Sequence, residues 1–276
     1  MKKFTVSLVL LCSFLIVLAG CGTSDKTSGE KENKDGQEKK TLRVVTNADY
    51  SPMEFQDKGE LVGFDMELIT AMGKEAGYDV KLEHVGWDPI FVELDKKRAQ
   101  VGASAITINK KREQSYDFTA PYFYASQKIL VPQGSSIKSA ADLKGKKVAV
   151  QMGTTANIIM DKLYGADNKN IKKFENNILA IMELTKGGAD AVVADNAVVE
   201  EYAKNNPKQK LVVIEDKGAF DPEFYGFMLQ KGDKQLKKDL DKALNTLLDN
   251  GEYTKIYQKW LGIEPDVAFL KAQQKK

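Results

Sequence analysis

The chain has 276 residues, 42% of them hydrophobic and 29% charged, with 41 Lys and Arg against 39 Asp and Glu. Without residues 1–20, which carry Lys2 and Lys3 and no acid, the two signs balance at 39 each; no basic excess remains to release counterions from phosphates, which argues against a nucleic-acid partner. Two cysteines and one histidine offer no metal-ligand set or thiol–imidazole pair, and neither metal nor cofactor is expected.

Lys2 and Lys3 open the chain, and an apolar run follows over residues 4–19. It is of signal-peptide rather than membrane-span length. It ends in Leu18-Ala19-Gly20-Cys21, small residues before a cysteine that resemble a bacterial lipobox. The resemblance implies that residues 1–20 are removed and that Cys21 carries a lipid. Cys12 then leaves with the signal, and no thiol is left for a disulfide, a metal or a nucleophile. Residues 22–41 contain no apolar side chain, so they cannot bury enough surface to offset their ordering entropy. Residues 21–40 are expected to be a lipidated cysteine and flexible tether. Such a length suits a cell with a single membrane to hold on to.

The remaining body is about right for two modest lobes. Residues 42–46 read as a buried strand, Asp65 as the cap of a helix with Met66, Ile69, Met72 and Ala76 on one face, and residues 80–85 as a strand. Asp88-Pro89 suits a helix start, and residues 101–106 form the next strand. The order βαβαβ argues for a mostly parallel sheet with ligand chemistry at its carboxyl ends. A second alternating set follows Pro132-Gln133-Gly134: strands over 147–150, 171–174, 191–194, 211–214 and 224–229, and helices from Gly153-Thr154-Thr155 to Leu163 and over 178–186. Leu236, Leu240, Ala243, Leu244 and Leu247 repeat at helical spacing, Gly251 stops the run, and Tyr253, Ile256, Tyr257 and Trp260 form one more apolar face.

The strand over 101–106 runs into Ser104-Ala105-Ile106-Thr107 and then Arg112. Strand-end backbone groups, hydroxyls and a guanidinium fork suit a carboxylate, as in the head group of an amino acid. Taken alone, the pattern also fits an exposed arginine in a charged loop.

Further motifs occur in order: Tyr50-Ser51-Pro52-Met53, Val62-Gly63-Phe64-Asp65, Trp87-Asp88, Tyr116-Asp117-Phe118, Pro121-Tyr122, Asp142-Leu143-Lys144-Gly145-Lys146, Gly153-Thr154-Thr155 and Ala189-Asp190-Ala191 through Asp195. Together they resemble the bacterial extracellular solute-binding proteins of family 3, over residues 42–263, and most of all arginine/lysine/histidine-binding lipoproteins of Gram-positive bacteria. The resemblance implies an α/β fold of two doubly wound lobes joined by two hinge crossovers, the type II periplasmic-binding-protein architecture. Lobe 1 would take residues 41–125 and 226–264, lobe 2 residues 126–225, and residues 265–276 a C-terminal tail. It implies a monomer, held by its lipid on the outer face of the cell membrane, that binds a free L-amino acid and delivers it to the permease of an ABC importer.

Site residues carry over position by position. The resemblance implies that Arg112 clamps the α-carboxylate with the N–H of Thr107, and that the turn through Thr154 and Thr155 adds N–H groups at a helix start. Asp195 takes the α-ammonium with the carbonyl of Ala105. Tyr50 and Trp87 sandwich the side chain, and Asn47, Ser104 and Gln151 meet its end. Asn47 stands where many basic amino-acid binders have an aspartate, which removes the countercharge unless Asp49 turns inward. These positions point to a polar L-amino acid and leave basic ones open. His84 reads as a surface residue, and Glu54, Asp57 and Glu60 as solvated faces. A sensor ectodomain acting through a partner and a dehydratase-like enzyme are the alternatives on this fold; the presence of both Arg112 and Asp195 favours simple binding.

Overall fold

The computed structural model describes residues 40–274. The lipobox with Cys21 and the tether up to residue 39 lie outside the described residues. The chain begins with strand β1 (Lys40–Thr46) and a small antiparallel sheet of β2 (Asp49–Tyr50), β3 (Glu54–Asp57) and β4 (Glu60–Val62). Helix α1 (Phe64–Glu75), β5 (Tyr78–His84), α2 (Trp87–Asp95), β6 (Val101–Gly102), α3 (Lys110–Glu113) and β7 (Tyr116–Phe118) follow. After β8 (Phe123–Ala125) come β9 (Gln127–Pro132), β10 (Val148–Gln151), α4 (Thr155–Tyr164), β11 (Ile171–Phe174), α5 (Asn177–Thr185), β12 (Ala191–Asp195), α6 (Asn196–Asn205) and β13 (Leu211–Ile214). The chain then returns through β14 (Glu223–Tyr225) to β15 (Met228–Gln230), α7 (Lys234–Asn250), α8 (Glu252–Leu261) and α9 (Val267–Gln273).

Two five-stranded sheets result, in the orders β5-β1-β6-β15-β7 and β11-β10-β12-β9-β13. The two orders are equivalent: β15 in the first sheet and β9 in the second each follow a hinge strand, and each runs antiparallel to both neighbours. The pairs β1–β5, β1–β6, β10–β11 and β10–β12 are parallel. Between the lobes, β8 and β14 pair antiparallel with Tyr124 opposite Phe224. The inner strands of both sheets bury both faces, which is why β10 and β12 read as near-continuous apolar runs, whereas the edge strands β5 and β11 carry exposed charged residues. Val44 shares one core with Phe64, Leu240 and Tyr253 on one side of the lobe 1 sheet, and Val45 shares the other with Ile90 and Leu94 of α2. In lobe 2, Val148 and Val150 face Met160 of α4, and Ala149 faces Ile181 and Leu184 of α5.

Several local expectations are corrected. The strand expected over 101–106 is regular only at Val101–Gly102; the chain then turns through Ala105, at φ 48°, and Thr107 bridges to Tyr225 of β14 instead. The single strand expected over 224–229 is divided between the hinge pair and the lobe 1 sheet. Neither Asp65 nor Asp88 caps its helix. Gly63 and Gly86 hold those places, and a Cβ at Gly63 would lie 2.3 Å from the Met53 carbonyl oxygen. The C-terminal tail expected over 265–276 contains α9, capped by Asp266, with Leu270 in the lobe 1 core and Phe269 against Tyr124 and Phe224 of the hinge pair.

Candidate functional site

The carboxyl ends of β1, β6, β10 and β12 deliver Asn47, Ser104, Gln151 and Asp195, and the first residue of α2 is Trp87. One cavity between the lobes is lined by every residue expected at the site: Asn47, Tyr50, Trp87, Ser104, Ala105, Thr107, Arg112, Gln151, Thr154, Thr155 and Asp195. Glu54 lines it too. Its free volume is about 20 Å³, room for about one water. Larger hollows lie elsewhere, about 800 Å³ beside α9 and about 540 Å³ between the β2–β3 hairpin and helices α5 and α6. The small cavity brings a guanidinium of lobe 1, Arg112, together with a carboxylate of lobe 2, Asp195.

Arg112 reaches it from α3, whose cap Asn109 accepts the Arg112 N–H at 2.9 Å. The guanidinium donates to the Thr107 carbonyl at 2.9 Å and, across the lobes, to the Gly153 carbonyl at 3.4 Å. It lies 5.4 Å from the Trp87 ring centre and 5.8 Å from that of Phe91, within cation–π range. Burial lowers its pKa to about 10, which still leaves it charged at neutral pH.

Asp195 is the N-cap residue of α6 but makes no capping bond. Its carboxylate instead accepts from the Tyr50 hydroxyl at 2.8 Å and from Tyr225 and Gln127. Burial pushes this carboxyl upward, against the pull of those donors and of Arg112. Tyr50 belongs to lobe 1 and Asp195 to lobe 2, so their bond ties the lobes together. Gly153 makes a second approach: at φ 75°, a Cβ there would sit 3.1 Å from Trp87 Nε1. The Gly153 N–H donates to Asn157 Oδ1 at 3.1 Å.

The far end differs from expectation most. Glu54 is no solvated acid; it is 1% exposed. It pairs across the hairpin with Tyr50 and so shares its face, whereas Asp49 pairs with Phe55 and lines the outer groove beside α5 and α6. Ser104 donates to Glu54 Oε1 at 2.6 Å, and Glu54 Oε2 has no partner. Burial first, and then the charge of Asp65, holds the Glu54 carboxyl well above the usual range. Asp65 is itself fully buried, accepting the Ala105 N–H at 2.8 Å and the Tyr122 hydroxyl at 2.7 Å, and burial raises it to about 7. The first of these bonds holds Ala105 in its left-handed conformation. Asn47 donates its N–H to Ser104 Oγ at 3.2 Å. Trp87 Nε1 and Gln151 Nε2 are buried without partners.

Glu223 of β14 was not anticipated either. Its Oε2 accepts hydroxyls from Thr107 of lobe 1 and Thr155 of lobe 2, each at 2.8 Å, and burial followed by the charge of Asp195 raises it to about 7. Its place in the expected hinge crossover was the available signal. For Glu54 the signal was the alternation from Tyr50 through a two-stranded hairpin. Among the described residues, no group of three His, Cys, Asp or Glu could hold a metal ion.

The sequence matches the bacterial extracellular solute-binding proteins, family 3, over residues 42–263. A probable histidine-binding protein of Neisseria gonorrhoeae is 40% identical over 268 residues, covering 96% of this chain and 97% of that one. Among solved structures, the arginine-, lysine-, histidine-binding protein ArtJ of Geobacillus stearothermophilus is 50% identical with a TM-score of 0.82, over 84% of this chain and all of that one. An ancestral arginine-binding protein, solved bound to glutamine, is 41% identical with a TM-score of 0.75, over 81% and 98% of the two chains.

Proposed function

The chain belongs to the bacterial extracellular solute-binding proteins of family 3, and from that premise we propose that it binds a basic L-amino acid between its lobes as the receptor of an ABC importer. The observation that carries the choice of ligand is Glu54, a buried carboxylate in the cavity with one oxygen unpartnered. Glu54 and Asp195 line the cavity, with Asp65 and Glu223 bonded to the residues around it, against the single guanidinium of Arg112. Such a balance calls for a cation. This narrows the polar-or-basic expectation to basic ligands, because the acid missing at Asn47 is supplied by Glu54 from across the hairpin.

In this reading the α-carboxylate bonds Arg112 and the N–H groups of Thr107, Thr154 and Thr155, and the α-ammonium bonds Asp195. The side chain runs between Tyr50 and Trp87 to Glu54 and Gln151. The ligand enters when the lobes part about β8 and β14, and it replaces bonds such as Tyr50 to Asp195 as they close. The relatives are named as binding proteins, which supports binding without turnover. The lipobox at Cys21 supports attachment by lipid to the outer face of the membrane, from which the loaded protein docks on its permease.

Thermal unfolding tests the ligand class. A ligand at a hundred times its Kd stabilises by about 2.7 kcal/mol, a rise in Tm of about 5–10 °C for a domain of this size. The rise is expected with L-arginine, L-lysine or L-histidine, and not with L-leucine or L-valine; a rise with the aliphatic pair alone would reject the proposal.

A further inference from the structure

Asn177 is the first residue of α5 and is 2% exposed. Capping does not explain its burial, because Asn176 caps the helix by accepting the Leu179 N–H at 2.9 Å. Asn177 Nδ2 donates to Gln151 Oε1 at 2.7 Å, and Gln151 lines the ligand cavity together with Glu54. Two atoms of the pair are buried without partners, Gln151 Nε2 and Asn177 Oδ1.

A carboxamide carries a donor and an acceptor on a planar head of nearly symmetric shape. If both heads turn over, Gln151 donates to Asn177 Oδ1 and the bond between them survives. Gln151 Oε1 is then the atom left over, and Asn177 keeps one unpartnered atom in either arrangement. The pair therefore has two states of like internal bonding, one leaving the cavity an N–H donor and the other a carbonyl acceptor. Since an unpaired buried polar atom is costly, whichever ligand supplies its partner selects the state.

We propose that Gln151 and Asn177 form a reversible amide selector at the side-chain end of the site, with Asn177 the positioning residue that sets which atom Gln151 shows the ligand. The proposal rests on the amino-acid reading above and deepens it. Toward a cationic side chain the selector turns its acceptor, adding to Glu54; toward a side chain that ends in a carbonyl it turns its donor. The site thus takes amide-bearing L-amino acids as well as basic ones.

The test is calorimetric titration of the ligand-stripped protein with L-arginine and with L-citrulline, which has the same length but ends in a neutral ureido carbonyl. In Asn177→Asp the carboxylate can only accept, so it holds Gln151 with its oxygen left for the ligand. The preference for arginine over citrulline is expected to rise at least tenfold. Because the added charge alone favours a cation, the same substitution is made in the Gln151→Met background, where no amide remains to turn; most of the rise is expected to disappear there. Equal rises in both backgrounds, or an unchanged preference in a protein that still binds arginine, would overturn the proposal alone. A folded wild-type protein that binds neither ligand would overturn the amino-acid reading and the selector with it. The wild type offers a readout free of folding defects: nuclear Overhauser contacts from the Gln151 amide protons to the ligand are expected with citrulline and not with arginine. The same pattern with both ligands would overturn the selector.

Discussion

At the Arg112–Asp195 end of the cavity every charged group is held by neighbours: Asp195 by two tyrosines and Gln127, Arg112 by two carbonyls and an aromatic face, Glu223 by two threonines. At the other end Glu54 Oε2 and Gln151 Nε2 are buried and unpartnered, whereas at the first end the orphaned atoms, Gln127 Oε1 and Trp87 Nε1, belong to uncharged groups. The first end is organised by the protein's own bonds, as recognition of a feature common to all α-amino acids requires. The second is left for a ligand to complete. Choice among amino acids is therefore expected to reside there.

Substitutions that break this contrast at the shared end should cost most. Arg112→Ala or Asp195→Ala removes one member of a buried, charge-assisted set, a loss of about 2–5 kcal/mol, and calorimetry should show binding of every amino acid weakened about thirtyfold or more. Glu54→Gln acts at the other end only. It should weaken L-arginine by roughly tenfold or more while leaving L-glutamine within a few-fold, since a hydrogen bond to a charged group contributes about 1.5–3 kcal/mol.

Acidity acts on both ends. Glu223 is raised to about 7 by burial and then by Asp195, so in the ligand-free protein it carries a proton below that pH. A bound cation favours the ionised form, and the proton must leave on binding. The Glu223 contribution to affinity should therefore fall as pH drops through 7 and level off above it, by at most about tenfold per unit, while the raised Glu54 carboxyl adds a further dependence for basic ligands in the same direction. Titration from pH 5 to 8 checks this, and Glu223→Gln should flatten the curve. The smallest effect is expected from Gly153→Ala. It strains a backbone at φ 75° and crowds Trp87 Nε1, which should weaken all ligands several-fold by hindering closure, an effect small-angle scattering can follow.

The parallel strands were legible, because the motifs at their ends sit close to them in sequence, whereas β2, β3, β4, β7, β8 and β9 were not anticipated, although β9 lies inside the lobe 2 sheet between β12 and β13. What was missed depends on pairings between distant segments. Ala105 leaves the lobe 1 sheet because Asp65 holds its N–H, and nothing near residue 105 announces that bond. The apolar run from Phe224 to Leu229 looks continuous, yet its halves pair with β8 and with β6 and β7. Glu54 read as a surface acid because its direction is fixed only once β3 pairs with β2 and sets it opposite Tyr50. Every expected site residue does reach the cavity, whereas Glu54, Glu223 and Asn177 became visible only with the tertiary contacts that bury them.

The central claim is that the cavity selects a cationic L-amino acid through a carboxylate at its far end. Its most direct measurement is calorimetric titration of the refolded, ligand-stripped protein with the common L-amino acids, near pH 6.5 in buffers of different ionisation enthalpy. Tightest binding by the basic amino acids, with more proton release than aliphatic ones cause because Glu54 ionises as well as Glu223, is the expected result. Tightest binding by an aliphatic amino acid, or basic ligands releasing no more protons than aliphatic ones, would be the opposite result.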